Sequence, residues 1–67
     1  MSKPPVNAPA PIAYDIAGAA AAVGLSTDSI REALRNGDLT ARWYKSKRLI
    51  GSDELAAYFN SLPVDKP

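Results

Sequence analysis

Apolar and polar positions alternate along the chain with a helical period in three stretches and with an extended period in one. Ile16, Ala19, Ala20 and Val23 follow i, i+3, i+4, i+7, which predicts a helix with one narrow apolar face made of small residues. Asp15 supplies a carboxylate to cap its start, and Gly18 inside it costs roughly 1 kcal/mol relative to Ala, so this helix depends on its neighbours. Gly24 allows a sharp turn, after which Ser26 caps a second helix with Thr27, Asp28 and Ser29 in its first turn. Ile30, Ala33 and Leu34 point inward there, Thr27, Asp28, Arg31, Glu32 and Arg35 point outward, and Asn36-Gly37 ends the helix. Residues 39–44 and 48–50 read as two short strands joined by Lys45-Ser46-Lys47, since Thr, Trp, Tyr and Ile favour extended chain and the connection is polar. Gly51 breaks the second strand. Ser52 then caps a third helix with Asp53 and Glu54 at its start, an inner stripe of Leu55, Phe59 and Leu62, and Pro63 as its stop.

The pattern therefore predicts a mostly α domain with a small β-hairpin over residues 14–62. Residues 1–13 are expected to be a disordered Pro-rich leader, because Pro4, Pro5, Pro9 and Pro11 remove amide donors and restrict the residues before them. Residues 63–67 are expected to be a short flexible tail. The prolines also interrupt any apolar signal-peptide run, and the Ala-rich segment 16–25 is about half the length that crosses a bilayer, so no membrane association is expected. A chain of 67 residues makes one domain at most and buries only about 60% of its unfolded surface.

Charge changes the picture more than composition does. The net charge is +1, yet Arg31, Arg35, Arg42, Lys45, Lys47 and Arg48 fall within eighteen residues against only Glu32 and Asp38. The rest of the chain has two cations against five carboxylates. That asymmetry is the footprint of a face that binds a polyanion, although a solvated surface of mixed charge has the same residues. No cysteine and no histidine are present, which argues against disulfides, thiolate or imidazole metal sites and His-based catalysis. The expectation is a non-enzymatic protein without metal or cofactor, in a cytoplasmic setting. Ser26, Ser29, Asp53 and Glu54 are accounted for as helix caps.

Ala20, Gly24 and Ile30 have the spacing of a helix-turn-helix, in which the second helix enters the DNA major groove. The same spacing fits an ordinary small bundle in which Gly24 only ends a helix. On the first reading Thr27, Ser29, Arg31 and Arg35 face base edges, with Arg suited to guanine and Glu32 able to accept from a cytosine amino group. Ser26 and Ser29, beside the helix N-terminus, suit phosphate equally well. Arg42, Lys45, Lys47 and Arg48 make the hairpin a basic wing. Trp43 and Leu49, placed on the hairpin face opposite Tyr44 and Ile50, are candidates for contact between neighbouring copies; the alternation equally allows Trp43 to pack on the core with Tyr44 outside.

Taken in order, Ala19-Ala20, Gly24-Leu25-Ser26, Ser29-Ile30-Arg31, Gly37-Asp38-Leu39, the basic segment 42–50, Asp53-Glu54-Leu55 and Tyr58-Phe59 resemble the phage excisionase and MerR-like family of winged helix-turn-helix proteins. The resemblance spans residues 14–62. It departs from the family pattern at Gly18 (usually Glu), Glu32 (often Arg or Lys), Thr40 (commonly Pro) and Lys45-Ser46 (a Gly-containing wing tip). It implies three short helices with a two-stranded wing, and a sequence-specific DNA-binding protein, an excisionase that bends attachment-site DNA and biases a phage integrase toward excision in a bacterial host. Double-stranded DNA, an integrase and further copies of the chain on DNA are the implied partners. A small phage or prophage transcriptional regulator, a protein-interaction adaptor without DNA, and the DNA-recognition piece of a packaging complex remain the alternatives.

Overall fold

Each helix is bounded by a specific backbone device. The structure, a computed structural model, describes residues 11–65. It orders them as β1 (Ala13–Tyr14), α1 (Ile16–Val23), α2 (Thr27–Asn36), β2 (Arg42–Tyr44), β3 (Lys47–Gly51) and α3 (Ser52–Ser61). The Asp15 carboxylate accepts from the Gly18 N–H at 2.7 Å, and the Ser26 hydroxyl accepts from the Ser29 N–H at 3.1 Å, so the N-caps expected for α1 and α2 form. Gly24 and Gly37 end α1 and α2 in the left-handed region, at φ +76° and +80°. Beyond them Leu25 and Asp38 donate back to the Ala20 and Ala33 carbonyls, each at 2.9 Å.

Among the described residues three helices and a three-stranded antiparallel sheet make a mixed α/β fold, not a mostly α one with a two-stranded hairpin. The strand order is β1-β3-β2, and β1 is the strand that the proline pattern concealed. Ala13, expected to end the leader, pairs with Gly51, and Tyr14 pairs with Ile50. The Ser52 N–H extends the pairing by donating to the Ile12 carbonyl at 2.8 Å. The remainder of the expected leader, residues 1–10, lies outside the described residues, as do residues 66 and 67 of the tail.

The hairpin also differs from its expected form. Residues 39–41 are not strand, Lys47 is, and only Lys45-Ser46 connects β2 to β3. The pairs are Arg42 with Leu49, Trp43 with Arg48, and Tyr44 with Lys47. A three-residue connection would have paired Trp43 with Leu49; the two-residue one shifts the register by one, and such a shift moves side chains to the other face. Trp43 therefore shares a face with Arg48 and Ile50, while Leu49 shares the other with Arg42, Tyr44 and Lys47. Trp43 and Leu49 do not form one contact surface.

Ala19, Ala20, Ile30, Ala33, Leu39, Ile50 and Leu55 form the buried core, with Tyr14, Ile16, Val23, Leu34, Ala41 and Tyr58 packed against it. Neither aromatic of β2 reaches it: Trp43 is 65% and Tyr44 60% exposed, because the hairpin runs out past Ile50, the strand residue that meets the helices. The inner stripe of α3 is Leu55 and Tyr58, not Leu55, Phe59 and Leu62. Phe59 is 58% exposed, and Leu62 has left the helix at ψ 151°, the extended conformation that a following proline favours. Gly51 ends β3 and serves as the N-cap residue of α3, so Ser52 is already helical.

One position in the hairpin is strained. Lys45 has φ +55°, at the loop position where two-residue hairpins usually place Gly, Asn or Asp. An L-residue with a Cβ is disfavoured there by about 1–2 kcal/mol. Lys45→Gly is expected to raise the thermal midpoint by several degrees, about 4–8 °C per kcal/mol for a domain of this size, as read by far-ultraviolet circular dichroism. An unchanged or lowered midpoint would show that the Lys45 side chain offsets its backbone strain.

Candidate nucleic-acid interface

Helix α2 buries Ile30 and Ala33, which leaves two polar flanks on either side of its outer surface. Thr27, Arg31 and Arg35 lie at i, i+4, i+8 along one. Ser29, Glu32 and Asn36 lie along the other, and with Leu25, Ala33, Asp38, Tyr58 and Leu62 they line a groove between α2 and α3. The six residues expected to read DNA are thus divided. Arg31, Glu32 and Arg35 are exposed and Thr27 is half-buried. Ser26 and Ser29 are engaged with each other: besides the cap, their hydroxyls lie 3.0 Å apart. Arg31 carries an ion pair to Asp28 at 3.5 Å, both side chains largely in solvent. A pair so exposed is worth at most about 1 kcal/mol and yields readily to a phosphate or a base edge.

The hairpin holds the other four cations, and a different interaction engages each of three. The Arg48 guanidinium sits 5.0 Å from the centroid of the Trp43 ring, and the Lys45 ammonium 5.5 Å from that of Tyr44. Arg42 reaches back across to α3, where Glu54 Oε2 lies 3.6 Å away. Lys47 has no carboxylate within ion-pair distance among the described residues. Glu54 also accepts from the Gly51 N–H through Oε1 at 3.3 Å, so one carboxylate closes the first turn of α3 and ties it to β2. This contact, unexpected from the sequence, points Arg42 toward α3 through a weak surface pair, its own side chain still largely in solvent.

Gly51 makes that arrangement possible by lacking a side chain. A Cβ there would lie 2.9 Å from Asp53 Oδ1 and 3.0 Å from Glu54 Oε1, closer than such contacts tolerate. Gly51→Ala is therefore expected to displace both carboxylates and to cost about 1 kcal/mol, the usual worth of a helix cap, in a urea titration. Glu54→Gln, which keeps the cap acceptor but removes the charge, is expected to cost less. Equal losses would mean that the ion pair with Arg42, and not the cap, carries the effect.

No hydrogen bond or ion pair among the described residues joins the outward side chains of α2 to the hairpin. No group of His, Cys, Asp or Glu among the described residues is arranged to hold a metal ion, and no described helix is long and apolar enough to cross a membrane. Comparison with protein-family models, with curated proteins and with solved structures returns no match.

Proposed function

We propose that the chain is a small sequence-specific DNA-binding protein with a winged helix-turn-helix arrangement, α1 and α2 forming the helix pair and the β2–β3 hairpin the wing. What supports the reading is the order of parts together with the placement of charge. A capped second helix carries exposed Arg31 and Arg35 on one flank, and between Asp38 and Asp53 the chain has four cations and no carboxylate. Arg31 and Arg35 face base edges or phosphate in the major groove, Lys45, Lys47 and Arg48 face backbone phosphate, and Arg42 points toward Glu54.

Within that class the resemblance to excisionases favours a recombination directionality factor that bends attachment-site DNA for an integrase. Chemically it is binding and bending alone: the side chains of α2 and the hairpin neutralise phosphate and pair with base edges, and no bond is made or broken. One helix and one wing span about one turn of duplex, so function would require neighbouring copies or the integrase alongside. Selection of bound duplexes from a random pool is expected to enrich one short motif, and adding the protein to integrase with excision substrates is expected to stimulate excision. Enrichment of a motif with no effect on excision would favour a transcriptional regulator. A pool that stays random would remove the sequence-specific reading altogether.

A further inference from the structure

Trp43 and Tyr44 are adjacent in β2, at the edge of the sheet, and project from opposite faces of the hairpin. Both are more than half exposed, although large aromatic side chains gain most from burial. Each carries a cation over its ring, Arg48 on Trp43 and Lys45 on Tyr44, and Lys47 stands opposite Tyr44 on the neighbouring strand. A ring with a cation on one side and solvent on the other is half of a stack. What fits the open side is a second flat π-surface, and what fits the surrounding cations is an anion attached to it. A nucleotide has both.

We infer that the hairpin tip is a nucleobase-stacking site, in which Trp43 and Tyr44 each take the face of a base while Lys45, Lys47 and Arg48 hold the flanking phosphates. It rests on the preceding reading only in the affinity of the hairpin for nucleic acid. It adds that the wing engages bases that are not fully stacked on their neighbours, either in a single strand or at a duplex step opened by a kink. Backbone attraction by itself would use the cations and leave the open face of both rings without a partner. Stacking on aromatic side chains needs no particular sequence, since every base presents a π-face.

Trp43 is the sole tryptophan of the chain, so its emission reports on this site alone. The experiment titrates the full chain with a ten-nucleotide oligothymidylate and, separately, with a duplex containing its selected motif. Quenching of Trp43 by the single strand, or by the duplex, is the expected result and identifies which source supplies the base. Trp43→Ala is expected to weaken the quenching ligand's binding by about five- to a hundredfold in an anisotropy assay, and Trp43→Phe to restore most of it. Duplex binding with unchanged Trp43 emission and full affinity in Trp43→Ala would overturn the stacking site and leave the duplex reading standing. Binding of neither nucleic acid would overturn both. A change in emission on concentrating the protein alone, with none on adding nucleic acid, would assign the rings to a second copy of the chain and overturn the inference as well.

Discussion

Ile50→Ala is expected to remove about half or more of the folding free energy of the domain. Ile50 is fully buried and stands where β3 meets both β1, through Tyr14, and the helices. Among the described residues three of the seven buried ones are alanines, leaving Ile30, Leu39, Ile50 and Leu55 as the large side chains of the core. Deleting three carbons from such a site costs about 2–5 kcal/mol through lost transfer energy and the cavity left behind. A chain of this length has about 3–10 kcal/mol in all. Urea titration followed by circular dichroism measures the loss. Phe59→Ala is the matched control, because Phe59 is largely in solvent; it is expected to shift stability by no more than about 0.5 kcal/mol. Equal losses from the two variants would show that the third helix packs through Phe59 and that the core is not the one built on Ile30, Leu39, Ile50 and Leu55.

The second large effect is expected on binding. Arg31→Ala and Arg35→Ala remove the two exposed guanidinium groups of α2, and the double variant is expected to lose binding to the selected duplex by at least tenfold. If Arg31 reads guanine bidentately, its loss costs about 1–3 kcal/mol and relaxes selectivity at a single base pair. If it holds phosphate, the loss is smaller and equal for every sequence. Competition between cognate and scrambled duplexes separates the two. Asp28→Asn, which releases Arg31 from its exposed partner, is expected to tighten binding modestly. Wild-type affinity in the double variant would move the interface off α2.

The sequence was most informative where one residue type has one physical use. Asp15, Ser26, Gly24 and Gly37 each cap a helix as their chemistry requires, so the bounds of α1 and α2 were legible from them. The hairpin was legible in kind but not in register, since the strands are three and five residues long and a loop of two residues cannot be told from one of three by alternation. That single step decides whether Trp43 lies with Leu49 or with Ile50. β1 was hidden because two residues have no period, and because the prolines before it argued for an open leader. In α3 the spacing of Leu55, Phe59 and Leu62 was a sound helical stripe, but Pro63 drew Leu62 out of the helix and the core met Tyr58 instead. For the candidate site, the cluster of charge was plain in the sequence. The partners of those charges were not, because Arg42 to Glu54 and Arg48 to Trp43 are contacts made only by the folded chain.

The central claim is that this charge cluster meets DNA phosphate, and the salt dependence of duplex binding tests it most directly. With Arg42 paired to Glu54, and Arg31 giving up its exposed partner Asp28, five cations (Arg31, Arg35, Lys45, Lys47 and Arg48) displace counterions, at roughly −0.9 each in a plot of log affinity against log salt. The expected slope is about −4 to −5, steepening slightly if Arg42 is also recruited. Affinity that does not change with salt, or no measurable binding to duplex at low salt, would contradict the account.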